Sequence, residues 1–154
     1  MHRITRAWRT ALAVVFVVAA AACVEPMTPA RTFDDYEHKA KDTAESALSS
    51  VQTARLAARV GGRGDAFGPY VSVVLSETET GTAHASSVFA SVQPPDDHAD
   101  RLRSQLTRLL SRAEGGLARL RIAARRGELD RLPHLAAPLG PLSRRLERFI
   151  ARHE

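Results

Sequence analysis

The chain has 154 residues, of which 22 are Lys or Arg and 17 are Asp or Glu, for a formal charge of +5, and it contains one cysteine. That length suits one domain burying roughly two-thirds of its unfolded surface. A lone cysteine excludes internal disulfides, CxxC zinc sites and CxxCH haem attachment, so the folded part must be held by its core alone.

Arg3, Arg6 and Arg9 open the chain with no acid among them, and an apolar run over residues 11–24 follows. A positive start, a short apolar run and small residues before a cut describe a secretory signal. The run is about 14 residues, whereas a spanning helix needs about 20 at 1.5 Å per residue. Cys23 directly follows Ala20, Ala21 and Ala22. This arrangement resembles the lipobox of bacterial lipoproteins, with Ala20 where leucine is commonest. The resemblance implies a signal peptide over residues 1–22 and a lipidated Cys23 at the new N-terminus. The sulfur would carry a diacylglyceryl thioether, and the freed amine a palmitate-type chain. Two or more chains anchor firmly, at about 0.8 kcal/mol per buried CH₂, where one is marginal. The expected location is the extracytoplasmic face of the cell membrane, with secretion after a cut elsewhere as the alternative.

Without the three signal arginines the remaining charge is near +2, and it is unevenly spread. Residues 24–95 hold 6 basic and 9 acidic residues, whereas residues 96–154 hold 13 arginines and 8 acids. Two half-bundles of complementary charge are one reading, and an anion-facing surface is the other.

Residues 23–31 read as an extended tether, because Pro26 and Pro29 lie in it without any apolar period. Thr32 is a candidate N-cap with Asp35 at N3. A first helix is predicted over 33–60, where Ala40, Ala44, Ala47, Val51, Ala54 and Ala58 repeat in steps of four and three. The glycine-rich stretch 61–68 reads as a loop that breaks this helix. A second helix is predicted over 69–92, with Val71, Leu75, Thr78, Thr82, Ala85, Phe89 and Val92 on its seam. Its Val, Thr and Ser content favours strand by propensity, but the period favours helix. Pro94 and Pro95 end it.

A third helix is predicted over 97–126, capped by Asp96 or Asp97 and ended by Gly127, with Leu102, Leu106, Leu109, Ala113, Leu117, Leu120 and Ala124 inward. A fourth is predicted over 129–152, with Leu132, Leu135, Leu139, Leu142, Leu146 and Phe149 inward. Pro138 and Pro141 predict a kink or short break inside it. Four amphipathic segments with short loops imply an all-α fold, an antiparallel up-down-up-down four-helix bundle over residues 32–154.

Phe33-Asp-Asp-Tyr-Glu37, Gln93-Pro-Pro-Asp96 and Arg121-Ile-Ala-Ala-Arg-Arg-Gly127, with the stretch from Ala66 to Glu77, are similar to segments of uncharacterised predicted lipoproteins of actinobacterial type. The resemblance covers most of the region after Cys23. It implies no activity and assigns no functional residue.

The chemistry-bearing pattern that stands out is a row of arginines. At 100° per residue, Arg101, Arg108, Arg112, Arg119 and Arg126 fall within about 40° of one another on one flank of the third helix. Guanidinium forks match phosphate oxygens, so this ridge is the candidate anion-binding site, for lipid head groups or an anionic wall polymer. The competing expectation is pairing with Glu37, Glu45 or Glu77 of neighbouring helices. Nucleic acid is disfavoured, because the chain is read as exported and the ridge lacks interleaved aromatics.

No Glu-x-x-His pair of the di-iron type occurs, and Asp35-x-x-His38 stands alone, so no metal and no cofactor are expected. No nucleophile elbow and no phosphate loop before a lysine occur, so no catalytic residue is named and no enzyme activity is expected. The expected role is a membrane-anchored interaction or envelope-structure module, with an envelope protein as partner. The alternative is a ligand-binding module for an anionic polymer, a lipid head group or a small apolar molecule between helices.

Overall fold

The structure, a computed structural model, describes residues 32–153. The expected signal, the lipidation site at Cys23 and the tether through residue 31 lie outside the described residues. Within them the chain forms five α-helices and no strand. These are α1 (Phe33–Gly62), α2 (Gly68–Ser91), α3 (Asp97–Arg125), α4 (Leu132–Ala136) and α5 (Leu139–Ala151), with a 3₁₀ turn at Leu129–Arg131.

The helix starts are those the capping chemistry predicts. The Thr32 hydroxyl accepts from the Asp35 N–H at 3.1 Å, and the Asp96 carboxylate accepts from the Ala99 N–H at 2.8 Å. Phe67 precedes α2, whose first turn takes Pro69 without losing a needed donor. α1 and α3 end alike. Gly64 and Gly127 both sit at φ +75°, and the next residues, Asp65 and Glu128, reach back to the carbonyls of Val60 and Ala123. This pair of bonds closes the last turn and satisfies carbonyls that the helix leaves free.

The α1 seam is buried throughout: Ala40, Ala44, Ala47, Val51, Ala54 and Ala58 are all 0 % exposed. Methyl groups there take little room between α1 and its neighbours. α1 consequently touches α2, α3, α4 and α5, while α2 on one side and α4–α5 on the other also pack against α3. Contacts between helix ends give the directions. The Tyr36 ring lies 5.3 Å from Phe89, Phe33 stacks on His98 at 4.1 Å, and Glu37 meets His153 at 2.6 Å. The starts of α1 and α3 therefore share one end of the bundle with the ends of α2 and α5.

α2 is helical despite its β-branched residues, because Val71, Leu75, Thr78, Thr82 and Phe89 fall on one buried stripe. The two threonine hydroxyls donate within their own helix, Thr78 to the Leu75 carbonyl and Thr82 to the Thr78 carbonyl, at 3.0 and 2.9 Å. On α3, Leu110 is fully buried and Leu109 only partly, so the core face is turned slightly from the one the period indicates.

Two boundaries differ from expectation. Gly61 and Gly62 lie inside α1, not in a loop. They are used for close approach: Gly61 is buried against the Val71 methyls, and a Cβ on Gly62 would lie 2.3 Å from Cγ of Pro133. The fourth predicted helix is three pieces. Pro133 starts α4, and the chain breaks at Ala137–Pro138 before α5. Pro141 then falls in the first turn of α5, where its missing N–H costs nothing. The break seats Leu139 against the buried Gly116 of α3, whose added Cβ would be 2.5 Å from a Leu139 methyl.

Tyr36 is fully buried, and its hydroxyl has no hydrogen-bond partner among the described residues. Burial pushes its phenol above the ordinary 10.0; the Arg103 charge works against this and Asp100 adds to it.

Two predictions follow from these contacts. Gly62→Ala forces a methyl into a rigid proline ring and should destabilise by about 1–3 kcal/mol. Gly81→Ala, in mid-helix with nothing nearer than Ser50 Oγ at 4.0 Å, should stabilise by roughly 0.5–1 kcal/mol. Urea titration of the full chain reads both, and equal signs would contradict the packing. Separately, Tyr36→Phe removes an unpartnered hydroxyl and should leave stability unchanged or raise it by about 1 kcal/mol. Because the folded phenol holds its proton where the unfolded one loses it, the Tyr36 contribution is full below about pH 10 and declines above it. The Tyr36→Phe protein should lose less stability than the parent between about pH 9 and 11.

Candidate functional site

α3 is the helix on which the arginine ridge is built. Its Leu102, Leu106, Leu110, Leu117 and Leu120 are buried, and this fixes the rotation that turns Arg101, Arg108, Arg112, Arg119 and Arg126 outward, all five exposed. α5 lies alongside, running the opposite way, with Leu142, Leu146 and Phe149 buried. That register brings Arg145, Arg148 and Arg152 up against the α3 row. The result is a trough between two helices in place of a ridge on one.

Two open depressions make up the trough, and a third adjoins it on the outer face of α3. One, of about 320 Å³, is lined by Arg108, Arg112, Arg145, Arg148 and Arg152 around Leu109 and Phe149. A second, of about 390 Å³, lies toward the α4–α5 break and includes Arg112, Arg119, Arg145 and Leu142. The third, of about 520 Å³, runs along α3 past Arg103, Ser104, Thr107, Arg108, Ser111 and Arg112. Arg112 lines all three. No Asp or Glu lines any of them.

The structure therefore brings together Arg108, Arg112 and Arg119 of the predicted set. Arg101 and Arg126 lie on the same flank but outside the trough lining. Arg145, Arg148 and Arg152 are the residues that the ridge alone omits. Their spacing of three and four residues places them within about 60° of one another on a helix, so the signal was present in the sequence. What placed that face beside α3 was the packing of α5.

The carboxylates expected to neutralise the ridge do not do so. Among the described residues, none of Arg101, Arg108, Arg112, Arg119 and Arg126 forms an ion pair. Glu37 is held by His153, and Glu147 accepts from Gln52 at 3.4 Å on the α1 side. Among the described residues, the one ion pair between α2 and α3 is Arg121 with Glu79; the Glu79 hydrogen bonds and charge hold that guanidinium above its ordinary range. A depression beside this pair, lined also by His84 and Arg125, therefore holds one carboxylate among its cations, unlike the trough. At about 8 Å, two like unit charges repel by roughly 0.5 kcal/mol even in bulk water, so the trough is a field waiting for counter-charge.

Among the described residues, no group of three or more His, Cys, Asp or Glu is placed to hold a metal ion, and no helix is long and apolar enough to cross a membrane. Compared with known proteins, the chain matches no family model, and no curated protein or solved structure gives a significant match.

Because the trough arginines repel one another, Arg112→Gln should not destabilise the fold. At low salt it should raise stability by about 0.2–0.5 kcal/mol, and the gain should vanish near 1 M salt, where the Debye length is about 3 Å. Thermal unfolding across a salt series measures this; a loss of stability on substitution would show that Arg112 has a structural partner.

Proposed function

We propose that this protein is a lipid-anchored, extracytoplasmic helical bundle that acts by binding and carries no catalysis of its own. In this reading residues 1–22 are the signal peptide, Cys23 carries the lipid, residues 23–31 are the tether, and the rest is an up-down-up-down four-helix bundle whose fourth member is split at Pro138. The observation that carries the binding role is the arginine-lined trough without a lining carboxylate. Uncompensated like charge opposes folding, so a surface that concentrates it is best accounted for by a partner that supplies the opposite charge. The cysteine after three alanines and the three arginines before the apolar run support the anchored location.

Pulse-labelling cells with an alkyne fatty acid tests the anchor. The parent chain should be labelled and sediment with membranes, and Cys23→Ser should lose the label and leave the membrane fraction. Labelling that persists in Cys23→Ser would reject Cys23 as the attachment point, and an unlabelled parent recovered from the medium would favour secretion.

A further inference from the structure

We infer that the trough between α3 and α5 binds a linear phosphate-bearing polymer lengthwise, an assignment that rests on the binding role proposed above and adds the chemistry of the ligand. Its shape is the first reason. Arg112 is common to the three depressions, and Arg108 and Arg145 each line two, so they form one continuous surface. From Arg108 to Arg119 it extends about 16 Å along α3 at 1.5 Å per residue, room for several repeats of a chain and too long for one small anion.

The second reason is how the charges converge. Arg108, Arg112, Arg145, Arg148 and Arg152 surround a single depression. A carboxylate offers one charge and two coplanar oxygens. A phosphate offers oxygens out of one plane, so forks arriving from two helices can engage it together. Ser111 adds a neutral hydroxyl donor within the trough, and Ser104 and Thr107 add two on the adjoining outer face of α3.

The surroundings narrow the ligand further. Phe149 is 0 % exposed and cannot stack on a base, so the trough lacks the aromatic platform that single-stranded nucleic acids use. A bilayer bearing phosphate head groups is the competing source of the same chemistry, and the vesicle arm of the test separates it from a polymer.

The test uses the full chain in non-ionic detergent, with three probes: long-chain inorganic polyphosphate, polyglutamate of matched charge number, and vesicles containing anionic phospholipid. Polyphosphate should bind at least about tenfold more tightly than polyglutamate, and more tightly than the vesicles. Arg112→Glu with Arg145→Glu should weaken polyphosphate binding by about tenfold or more. Arg125→Glu with Arg126→Glu, the same charge change outside the trough, should weaken it by less than about threefold. Equal weakening by the two pairs, equal affinity for polyglutamate, or tighter binding to vesicles would each overturn the assignment. If the reversed pair fails to fold by circular dichroism, Arg112→Gln with Arg145→Gln makes the same comparison. Fatty-acid labelling at Cys23 is read in cells and polymer binding in solution, so failure of the anchor and failure of the ligand assignment are distinguishable.

Discussion

The fully buried methyl groups of Ala40, Ala44, Ala47, Ala54 and Ala58 are the surface on which this bundle is packed. A seam of larger side chains would hold the neighbours of α1 farther off. With alanines, one helix of 30 residues can touch each of the other four. The bulk missing from α1 is supplied from the opposite walls, by Leu75 and Phe89 of α2, the leucines of α3, and Leu132, Leu139, Leu146 and Phe149 of α4 and α5. Small residues facing large ones let the layers interdigitate at native packing density. The same device recurs locally, where Gly61 receives Val71 and Gly116 receives Leu139.

The trough depends on this packing at one remove. The break at Ala137–Pro138 separates α4 from α5, and Leu139 at the start of α5 lies against Gly116. From there Leu142, Leu146 and Phe149 set the rotation of α5, which leaves Arg145, Arg148 and Arg152 facing the arginines of α3. Core and surface are two faces of one register. Changing the inward residues of α5 would turn its arginines away from α3.

Charge is distributed by the same logic. The acids in the first turns of α1 and α3 favour the positive helix ends and collect at one end of the bundle, because those two helices start there together. The arginines run along the side and reach that same end at Arg101 and Arg152. Since Glu37, Glu79 and Glu147 are engaged by His153, Arg121 and Gln52, the side keeps its field. An exposed and unpaired arginine adds little to stability, so stability does not account for their concentration on one flank.

Helix type, caps and seams are local properties, and they were legible in the residues. Thr32, Asp96 and Gly127 announce helix ends through hydrogen bonds made within a few positions, and the seams of α1 and α2 repeat with the period that a helix requires. The arginine ridge of α3 was also visible, because five positions on one helix share a face by periodicity alone. Tertiary structure decided what periodicity does not encode. Gly61 and Gly62 look like helix breakers until Val71 and Pro133 are seen against them. Of the prolines in the last segment, only the surrounding contacts show that Pro133 and Pro138 divide it while Pro141 is absorbed in a first turn. The joining of Arg108 and Arg112 with Arg145, Arg148 and Arg152 is a contact between helices distant in sequence, and only the folded chain determines it.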